Sequence, residues 1–466
     1  MATGSLISEA RDGRPSFLQA AAELAGSARG RTSRGFKILA AALAVLALLD
    51  IAGTVFRLVD SGSDRADWGY YAATLAWMLT VFGGAPMVAI APMVAKANWV
   101  RPVARIATLG AIGTAVTTLL LIPLLFMLPP LVEDGIRRRS IWFDSPVYAP
   151  HAWDLLALAG LALAGLALAY VSAIPDLAAI RDHGDGWRQR WGRRLARGFY
   201  GTPSQWEWLR MRIGVLGAFY FAMLIFVNFL ISTDFAMSLV PGWKDAIFPM
   251  YHTLSSLQSG VAFAILGLWA ARRWGGMREY IGRDQMWSLG KLLLATSLLW
   301  FYFFWSAYIV FWYGRSTADQ MTIDLLVTGP YVYGFWAAFT MCFVAPWWVL
   351  MWNKVRDSLW GPPVAAVIVL MGMLIDRVRL YVAAWTAAPE PGSLNEKVLT
   401  QLPATHWPDV FDVFVMVGAP ALAVLLALLV TRLVPAVSLW EVQQSRLISK
   451  PVGFLRGHAV LVGKPD

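Results

Sequence analysis

The sequence predicts an all-α membrane protein that crosses the bilayer about ten times. Of its 466 residues, 58% are hydrophobic and only 15% are charged, whereas a soluble domain averages about 25% charged residues. The mean hydropathy is +0.56. A helix needs about 20 mostly apolar residues to cross a bilayer, and ten segments of the chain meet that requirement. This composition excludes a disordered chain, a disulfide scaffold and an ordinary cytosolic enzyme.

The predicted spans divide the chain into a membrane domain and two tails. The ten spans cover residues 36–59, 68–94, 104–128, 152–174, 209–232, 247–271, 286–313, 329–352, 362–385 and 410–433. Residues 1–35 lack an apolar signal-peptide core and are predicted to be a cytoplasmic tail. Residues 36–435 form the membrane domain, and residues 436–466 form a second cytoplasmic tail. The connection 175–208 has the Trp and Arg content of an interfacial helix.

The charged residues of the loops predict the orientation of the spans. Lys and Arg precede the first span and follow the even-numbered spans, whereas Asp and Glu predominate in the opposite loops. Only the loop with Arg137, Arg138 and Arg139 departs from this pattern. Basic loops face the cytoplasm, so both termini are predicted to be cytoplasmic. The net charge of +10 belongs to these loops, so the expected partner is the lipid bilayer and no nucleic acid.

The cysteine and histidine content limits the metal chemistry of the chain. The single cysteine, Cys342, excludes an internal disulfide and a Cys-based zinc or iron–sulfur site. Haem between helices needs histidines at matching depths on facing spans, and none of the five histidines lies in the middle of a predicted span. We therefore expect no haem, iron–sulfur cluster or other metal in this chain.

Seven acidic or imidazole side chains are predicted to lie at the outer ends of the spans. They are His151, Asp154, Asp234, His252, His406, Asp409 and Asp412. Charges at membrane depth are costly and therefore mark candidate functional sites, here a proton-exchanging site with Tyr251 beside His252. Aspartate in the first turn of a helix can instead be a cap. Capping is the favoured explanation for Asp409 and Asp412 and an equal alternative for Asp154.

Five further ionisable residues inside the spans are candidates for a proton path. They are Asp50, Lys291, Asp376, Arg377 and Arg379. The alternative is a set of structural ion pairs. Because neighbouring residues point to different sides of a helix, we expect Asp376, Arg377 and Arg379 to find their partners on other spans. Lys291 is close enough to the end of its span for its ammonium group to reach the interface.

Several motifs of the chain resemble those of a known family. They are HAWDLLAL at 151–158, PDLAAIRD at 175–182, TDFAMSLVPGWKDAIFPMYHTLSSLQSG at 233–260, REYIGRDQMWSLGKLLLATSLLWFYFFWSAYIVFWYG at 278–314, LIDRVRLYV at 374–382, LPATHWPDVFD at 402–412 and RLVPAVSLWEV at 432–442. Over residues 140–445 the chain resembles the NrfD/PsrC-like integral membrane subunits, most of all the ActC and ActF subunits of alternative complex III.

The resemblance implies a fold, an activity and a set of partners. The fold is two tandem four-helix bundles with flanking helices. The subunit oxidises a quinol, of the menaquinone or ubiquinone type, near the outer face, possesses no haem or iron–sulfur cluster, and is part of a quinol:cytochrome c oxidoreductase complex. Electrons pass to an iron–sulfur subunit similar to molybdopterin oxidoreductases and to c-type cytochrome subunits, beside a paralogous membrane subunit.

The resemblance also assigns residues, matched motif by motif. Asp154 of the WD pair and Asp234 of the DFAMSLVPGW run match catalytic aspartates, with His151 beside them. These three, together with Tyr251 and His252, are the expected quinone-binding residues. The acidic-Arg pair before RVRLYV is Asp376 and Arg377.

Two other functions stay open. ActC-like proteins carry an HLGR-type motif after the third span, and this chain has FMLPPLVEDGIRRRSIW there, without a histidine. That difference favours an ActF-like paralogue with a structural or proton-conducting role and no working quinol site. A secondary transporter would need inverted repeats with helices broken at the midplane, and no convincing pair is visible in the sequence.

Overall fold

The structure is a computed structural model. It describes residues 34–60, 65–95, 97–129, 132–133, 136–137, 151–278, 280–387, 399, 401–438, 440–442, 449–454 and 457–462. Residues 1–33 of the expected N-terminal tail, most of the loop 130–150 and the side chain of His151 lie outside the described residues.

Sixteen α-helices are described. They are α1 (Arg34–Asp60), α2 (Gly69–Met78), α3 (Met87–Val94), α4 (Arg101–Thr108), α5 (Gly110–Met127), α6 (His151–His183), α7 (Gly186–Leu195), α8 (Pro203–Phe235), α9 (Phe248–Arg273), α10 (Arg283–Gly314), α11 (Thr317–Ile323), α12 (Val332–Phe339), α13 (Ala345–Met351), α14 (Asn353–Arg356), α15 (Gly361–Thr386) and α16 (Val410–Val430).

Shorter elements join or interrupt these helices. The π-helical turns are Leu79–Gly83, Asp324–Thr328 and Thr340–Val344, and the 3₁₀ turns are Ala66–Trp68, Asn98–Val100 and Met237–Leu239. Two antiparallel hairpins are described, with strands β1 (Val132–Glu133), β2 (Ile136–Arg137), β3 (Ser449–Phe454) and β4 (Gly457–Val462). In the second hairpin Ser449 pairs with Val462. The predicted C-terminal tail therefore contains a β-hairpin.

The all-α, multi-pass membrane architecture is confirmed. Within the described ranges, nine helical segments are long and apolar enough to cross a membrane. The helix of the predicted ninth span, α15, is not among those nine, and three charged residues interrupt it. It nevertheless runs the length of the bundle, because Gly290 packs against Pro362 near its start and Gly69 against Val382 near its end. Its 26 residues, at about 1.5 Å each, are enough to cross a bilayer, so we count α15 as a tenth span.

The first and last spans form an antiparallel pair on the side of the bundle. Gly53 of α1 packs against Phe411 at one end of the pair. At the other end, the guanidinium of Arg432 lies 3.5 Å from the centre of the Phe36 ring. The start of α1 and the end of α16 are therefore at the same end of the molecule. We call this the inner end, after the predicted orientation, and the opposite one the outer end.

The centre of the bundle is a close crossing of two spans. The segment Ala66–Val94 is the most buried, with 94% of its most apolar window inside the protein. A Cβ atom added to Gly84 would lie 1.7 Å from the Ser256 carbonyl oxygen, and one added to Gly260 would lie 2.3 Å from the Gly84 carbonyl carbon. Only glycine permits this approach. It brings the polar side chains of α9 into the centre.

Two connections differ from the predicted loops. The fourth span does not end at 174, because α6 continues to His183 and Pro175 is accommodated inside it. The interfacial helix indicated by the sequence is α7, which exposes Trp187 and Trp191. The outer connection after α10 contains a short helix, α11, which the sequence analysis left as loop; the capping box of Ser316 and Asp319 starts it.

Candidate functional site

The candidate site is built around Asp376, which lies fully buried on α15. Its oxygen Oδ2 accepts hydrogen bonds from the Tyr251 hydroxyl at 2.7 Å and from Arg377 Nη1 at 2.8 Å. Its oxygen Oδ1 accepts from Arg379 Nε at 3.0 Å and lies 2.8 Å from Arg379 Nη2. Each carboxylate oxygen thus has two donors, which compensates for the cost of burying a polar group.

The prediction that the charged residues of α15 pair with other spans was partly wrong. Arg377 and Arg379 both bond to Asp376 on their own helix. The Cβ atoms of neighbouring residues point to different sides of the helix, but the long, flexible arginine side chains fold back around it and reach Asp376. Other spans contribute neutral groups, Tyr251 of α9 and the Thr80 hydroxyl, which accepts from Arg377 Nε at 3.2 Å.

The cluster contains one carboxylate and two guanidinium groups, so it is positively charged. Arginine remains protonated in proteins. Arg379 also donates to the Leu326 carbonyl at 3.2 Å and lies 5.6 Å and 5.4 Å from the ring centres of Phe304 and Phe335. Aromatic faces stabilise such a cation. The excess positive charge faces a region lined by aromatic rings.

That region is a partly open, mainly apolar cavity of about 60 Å³ at the outer end. Its wall is formed by the connection before α9, by α9, α10, the segment 322–327, α12 and α15. The lining residues are Trp243, Asp245, Phe248, Tyr251, Phe304, Ala307, Tyr308, Phe311, Thr322, Ile323, Leu326, Val327, Phe335, Arg379 and Leu380. A cavity of this size holds a few water molecules. A ring-sized ligand would have to displace an aromatic side chain.

Asp245 is a site residue that the sequence analysis did not select. It lies in the connection before α9, is 7% exposed and lines the cavity. Its Oδ1 accepts a hydrogen bond from the Ile247 backbone N–H at 2.7 Å. Burial raises the pKa of this carboxyl above its ordinary value, and backbone N–H groups of Ile247 and Phe248 oppose that rise. Its position inside the motif 233–260 could have identified Asp245 as a candidate. It was not selected because acidic residues are expected in the outer loops.

His252 adjoins the cluster but does not line the cavity. Its ring lies 5.7 Å from that of Tyr381 and 4.8 Å from that of Phe248. Within the described residues, His252 Nε2, the Tyr381 hydroxyl and Arg377 Nη2 are buried without a hydrogen-bond partner. Such groups are costly unless water or a ligand satisfies them.

The aspartates singled out by the resemblance lie in other helices. Asp154 is in the first turn of α6 and is 1% exposed, and Asp234 is partly buried in the last turn of α8. Neither lines the cavity. Of the expected quinone-binding residues, only Tyr251 does so, and the side chain of His151 is not described.

The residues proposed for a proton path lie in three separate places. Asp376, Arg377 and Arg379 are together, but Asp50 is buried between α1 and α16, beside Gly418. Lys291 is exposed near the inner end of α10, and its ammonium nitrogen lies 3.5 Å from the centre of the Trp287 ring. This position agrees with the interfacial placement considered for Lys291.

The capping explanation for Asp409 and Asp412 is confirmed. Asp409 Oδ1 accepts from the Asp412 backbone N–H at 2.8 Å, and Asp412 Oδ2 accepts from the Asp409 backbone N–H at 3.0 Å. Both carboxylates also lie 2.8 Å from Nη2 of buried Arg57. His406 lies close by, with Nε2 4.0 Å from Asp67 Oδ1. These residues hold α1 against α16 at the outer end.

Among the described residues, no three His, Cys, Asp or Glu side chains are grouped so that they could hold a metal ion. Comparisons with protein-family models and with curated proteins found no match for the chain. Fold and site geometry therefore define the class of a multi-pass helical membrane protein with a buried, positively charged polar cluster. Its activity is a matter for proposal.

Proposed function

We propose that this chain is the quinone-interacting membrane subunit of a respiratory electron-transfer complex in a bacterial cytoplasmic membrane. It would oxidise quinol near the outer face. The observation that carries the proposal is the cavity at the outer end, where Tyr251, Arg379 and Asp245 meet a wall of aromatic and aliphatic side chains. A few polar groups converging in an apolar pocket are typical of small-molecule sites.

The three polar side chains match what quinol oxidation requires. Oxidation of a quinol to a quinone releases two protons and two electrons. Asp245, whose pKa burial raises, would accept the two protons one after the other and release each to the aqueous phase at the outer end. A base works best with a pKa near the operating pH. The guanidinium of Arg379 would favour the developing negative charge on the ring oxygen. Tyr251, held by Asp376, would orient the headgroup.

The side of the cavity formed by α10 is next to exposed residues of that helix, which supports a ligand that arrives through the lipid. Ala307 and Tyr308 line it from α10 and are themselves partly exposed, and the adjacent Val310 and Trp305 are exposed. A hydrophobic quinol dissolved in the bilayer would enter past this helix. Its electrons would pass to the iron–sulfur and c-type cytochrome subunits that the sequence resemblance implies, beside a paralogous membrane subunit.

A filling substitution tests the location without removing a charge. In the complex purified in mild detergent, Ala307→Phe should raise the KM for quinol at least about tenfold in quinol-dependent cytochrome c reduction, because it occupies the cavity. Ala295→Phe, the same change on the exposed side of α10, is the matched control and should leave KM unchanged.

An unchanged KM in Ala307→Phe would exclude this cavity as the quinol site. Asp154→Asn and Asp234→Asn then test the position implied by the family resemblance, with loss of quinol oxidation and intact assembly as the expected result. Normal turnover in Asp154→Asn, Asp234→Asn and Ala307→Phe would refute the quinol-oxidising function of this chain.

A second function is favoured by the polar face of α9. Ser256 donates to Asn228 Oδ1 at 3.0 Å, and Gln258 donates to Ser297 Oγ at 2.9 Å and to the Cys342 carbonyl at 2.7 Å. These buried groups lie inward of Tyr251 along one helix. They suit an ActF-like paralogue with a structural or proton-conducting role, which predicts no quinone or quinone-site inhibitor bound to the isolated chain.

A further inference from the structure

A second buried cluster lies at the inner end, where α4 and α6 meet the segment that follows α16. Arg105 Nη2 donates to Asp176 Oδ2 at 2.7 Å and to the Ser172 carbonyl at 2.9 Å. Trp440 Nε1 donates to the same Ser172 carbonyl at 3.0 Å. These bonds fasten the returning segment and bring Glu441, which is 3% exposed, to the charged pair.

Glu441 faces a cavity. Its oxygen Oε2 is buried and has no hydrogen-bond partner among the described residues. The cavity has a volume of about 30 Å³ and is lined by Glu441, by Thr108 and Ser172, and otherwise by apolar residues and glycines of α3, α4, α6 and α8. About two water molecules fit such a volume when polar partners are present. The orphaned carboxylate oxygen and the neighbouring Thr108 and Ser172 provide them.

Three charged groups act on this carboxyl, and a fourth acts on one of the three. Arg101 and Arg105 come from α4 and Asp176 from α6, while Arg210 of α8 acts on Arg101. Burial raises the pKa of Glu441 to about 8, Arg105 and Arg101 partly offset that rise, and Asp176 adds to it. The group therefore changes its charge near neutral pH, unlike an exposed glutamate.

We propose that Glu441 and the adjoining cavity form a proton-exchange site at the inner end of the protein. Cavity water delivers one proton to the Oε2 oxygen and removes it again, with no change in the electrons of any group. The Arg105–Asp176 pair positions the site, and Trp440 keeps Glu441 in place. This site is at the opposite end from the quinol cavity, and the inference does not depend on quinol oxidation.

Infrared pH-difference spectra of the full chain in lipid vesicles test the proposal. The wild type should show a protonated-carboxyl C=O band that disappears between about pH 7 and 9, one unit on either side of a pKa of about 8. Glu441→Gln should remove this band, and Glu441→Asp should shift its frequency. Glu207→Gln, at an exposed carboxylate of the same end, should change nothing.

Exchange with water is tested separately in the wild type. Transfer into D₂O should shift the band at once, because the cavity water exchanges with the inner aqueous phase. A wild type without a titrating band, a band unchanged by Glu441→Gln, or a band that resists deuteration would each overturn the proposal. The first and third outcomes need no variant, so a Glu441→Gln protein that fails to fold does not affect them.

Discussion

The two buried clusters differ in how they use the same residue types. At the outer end, one carboxylate, Asp376, is saturated by Tyr251 and two arginines. At the inner end, two carboxylates share the arginines, and Glu441 retains an oxygen without a donor. In the outer cluster every carboxylate oxygen has two donors, and the two guanidinium groups outnumber the single carboxylate. The Glu441 carboxylate, by contrast, has an oxygen without a donor among the described residues, and binding of a proton would neutralise its buried charge.

The comparison explains why only one end resembles a ligand site. Around Asp376 the adjoining cavity is walled by aromatic rings and includes the charged groups Asp245 and Arg379. Around Glu441 the cavity has half that volume, about 30 Å³ against about 60 Å³. We therefore propose a ligand for the outer cavity, where a ring would have to displace an aromatic side chain, and proton exchange for the inner one.

The largest expected effect is that of Asp376→Asn. The change leaves two buried guanidinium groups without a counter-charge, and removal of one partner of a buried ion pair costs about 3–5 kcal/mol. We expect a marked loss of thermal stability in detergent and no quinol-dependent activity. Asp182→Asn is the control, because Asp182 pairs with Arg181 at the surface, where such pairs contribute about 1 kcal/mol or less. Equal losses in the two variants would contradict the saturated-cluster interpretation.

A smaller effect is expected from Tyr251→Phe, which removes one of the donors to Asp376. A hydrogen bond to a charged group contributes about 1.5–3 kcal/mol, so thermal stability should fall by less than in Asp376→Asn. Because Tyr251 also lines the cavity, the KM for quinol should rise. Tyr302→Phe, at an exposed position of α10, is the control. A Tyr251→Phe protein with unchanged KM would leave Tyr251 a structural role only.

The inner cluster predicts how stability depends on pH. The pKa of Glu441 is raised in the folded state from 4.5 to about 8, so the folded state holds a proton that the unfolded state has lost. The contribution of Glu441 to the free energy of unfolding is fully present below about pH 4.5. It falls as the pH rises to about 8, by at most about 1.4 kcal/mol per pH unit. Melting temperatures measured across this range should decline in the wild type and less in Glu441→Gln. Parallel plots of melting temperature against pH for the two proteins would show that the pKa of Glu441 is not raised.

Much of the fold could be predicted from the sequence because lipid imposes a simple requirement. Every span must be apolar for about 20 residues, so all ten predicted spans correspond to helices, most of them within about three residues. The exceptions are α6, which continues past its predicted end to His183, and α8, which begins at Pro203, before its predicted start. The charged residues of α15 could also be identified from the sequence, because they interrupt an apolar segment. The capping role of Asp409 and Asp412 followed from their place before an apolar segment.

The sites themselves depend on contacts that the sequence does not encode locally. Asp245 is near Arg379 only because the connection before α9 folds over the bundle. Glu441 reaches Arg105 because the chain turns back after α16, and Trp440 fixes that turn. Contacts between such distant segments are set by packing in three dimensions, so periodicity and spacing could select neither residue.

The smallest expected effect is that of Lys291→Met, because Lys291 belongs to neither buried cluster. Phe304 contacts Arg379 with its ring and is 13 residues further along α10, about 20 Å at 1.5 Å per residue. Lys291 instead lies over the exposed Trp287 ring, an interaction that contributes about 0.5–1 kcal/mol. We expect a change in stability of that size and unchanged quinol oxidation and proton release in vesicles. A loss of turnover in Lys291→Met without a loss of stability would place Lys291 on a proton path. Such a path would link the outer cluster around Asp376 to the inner cluster around Glu441, which share no described contact.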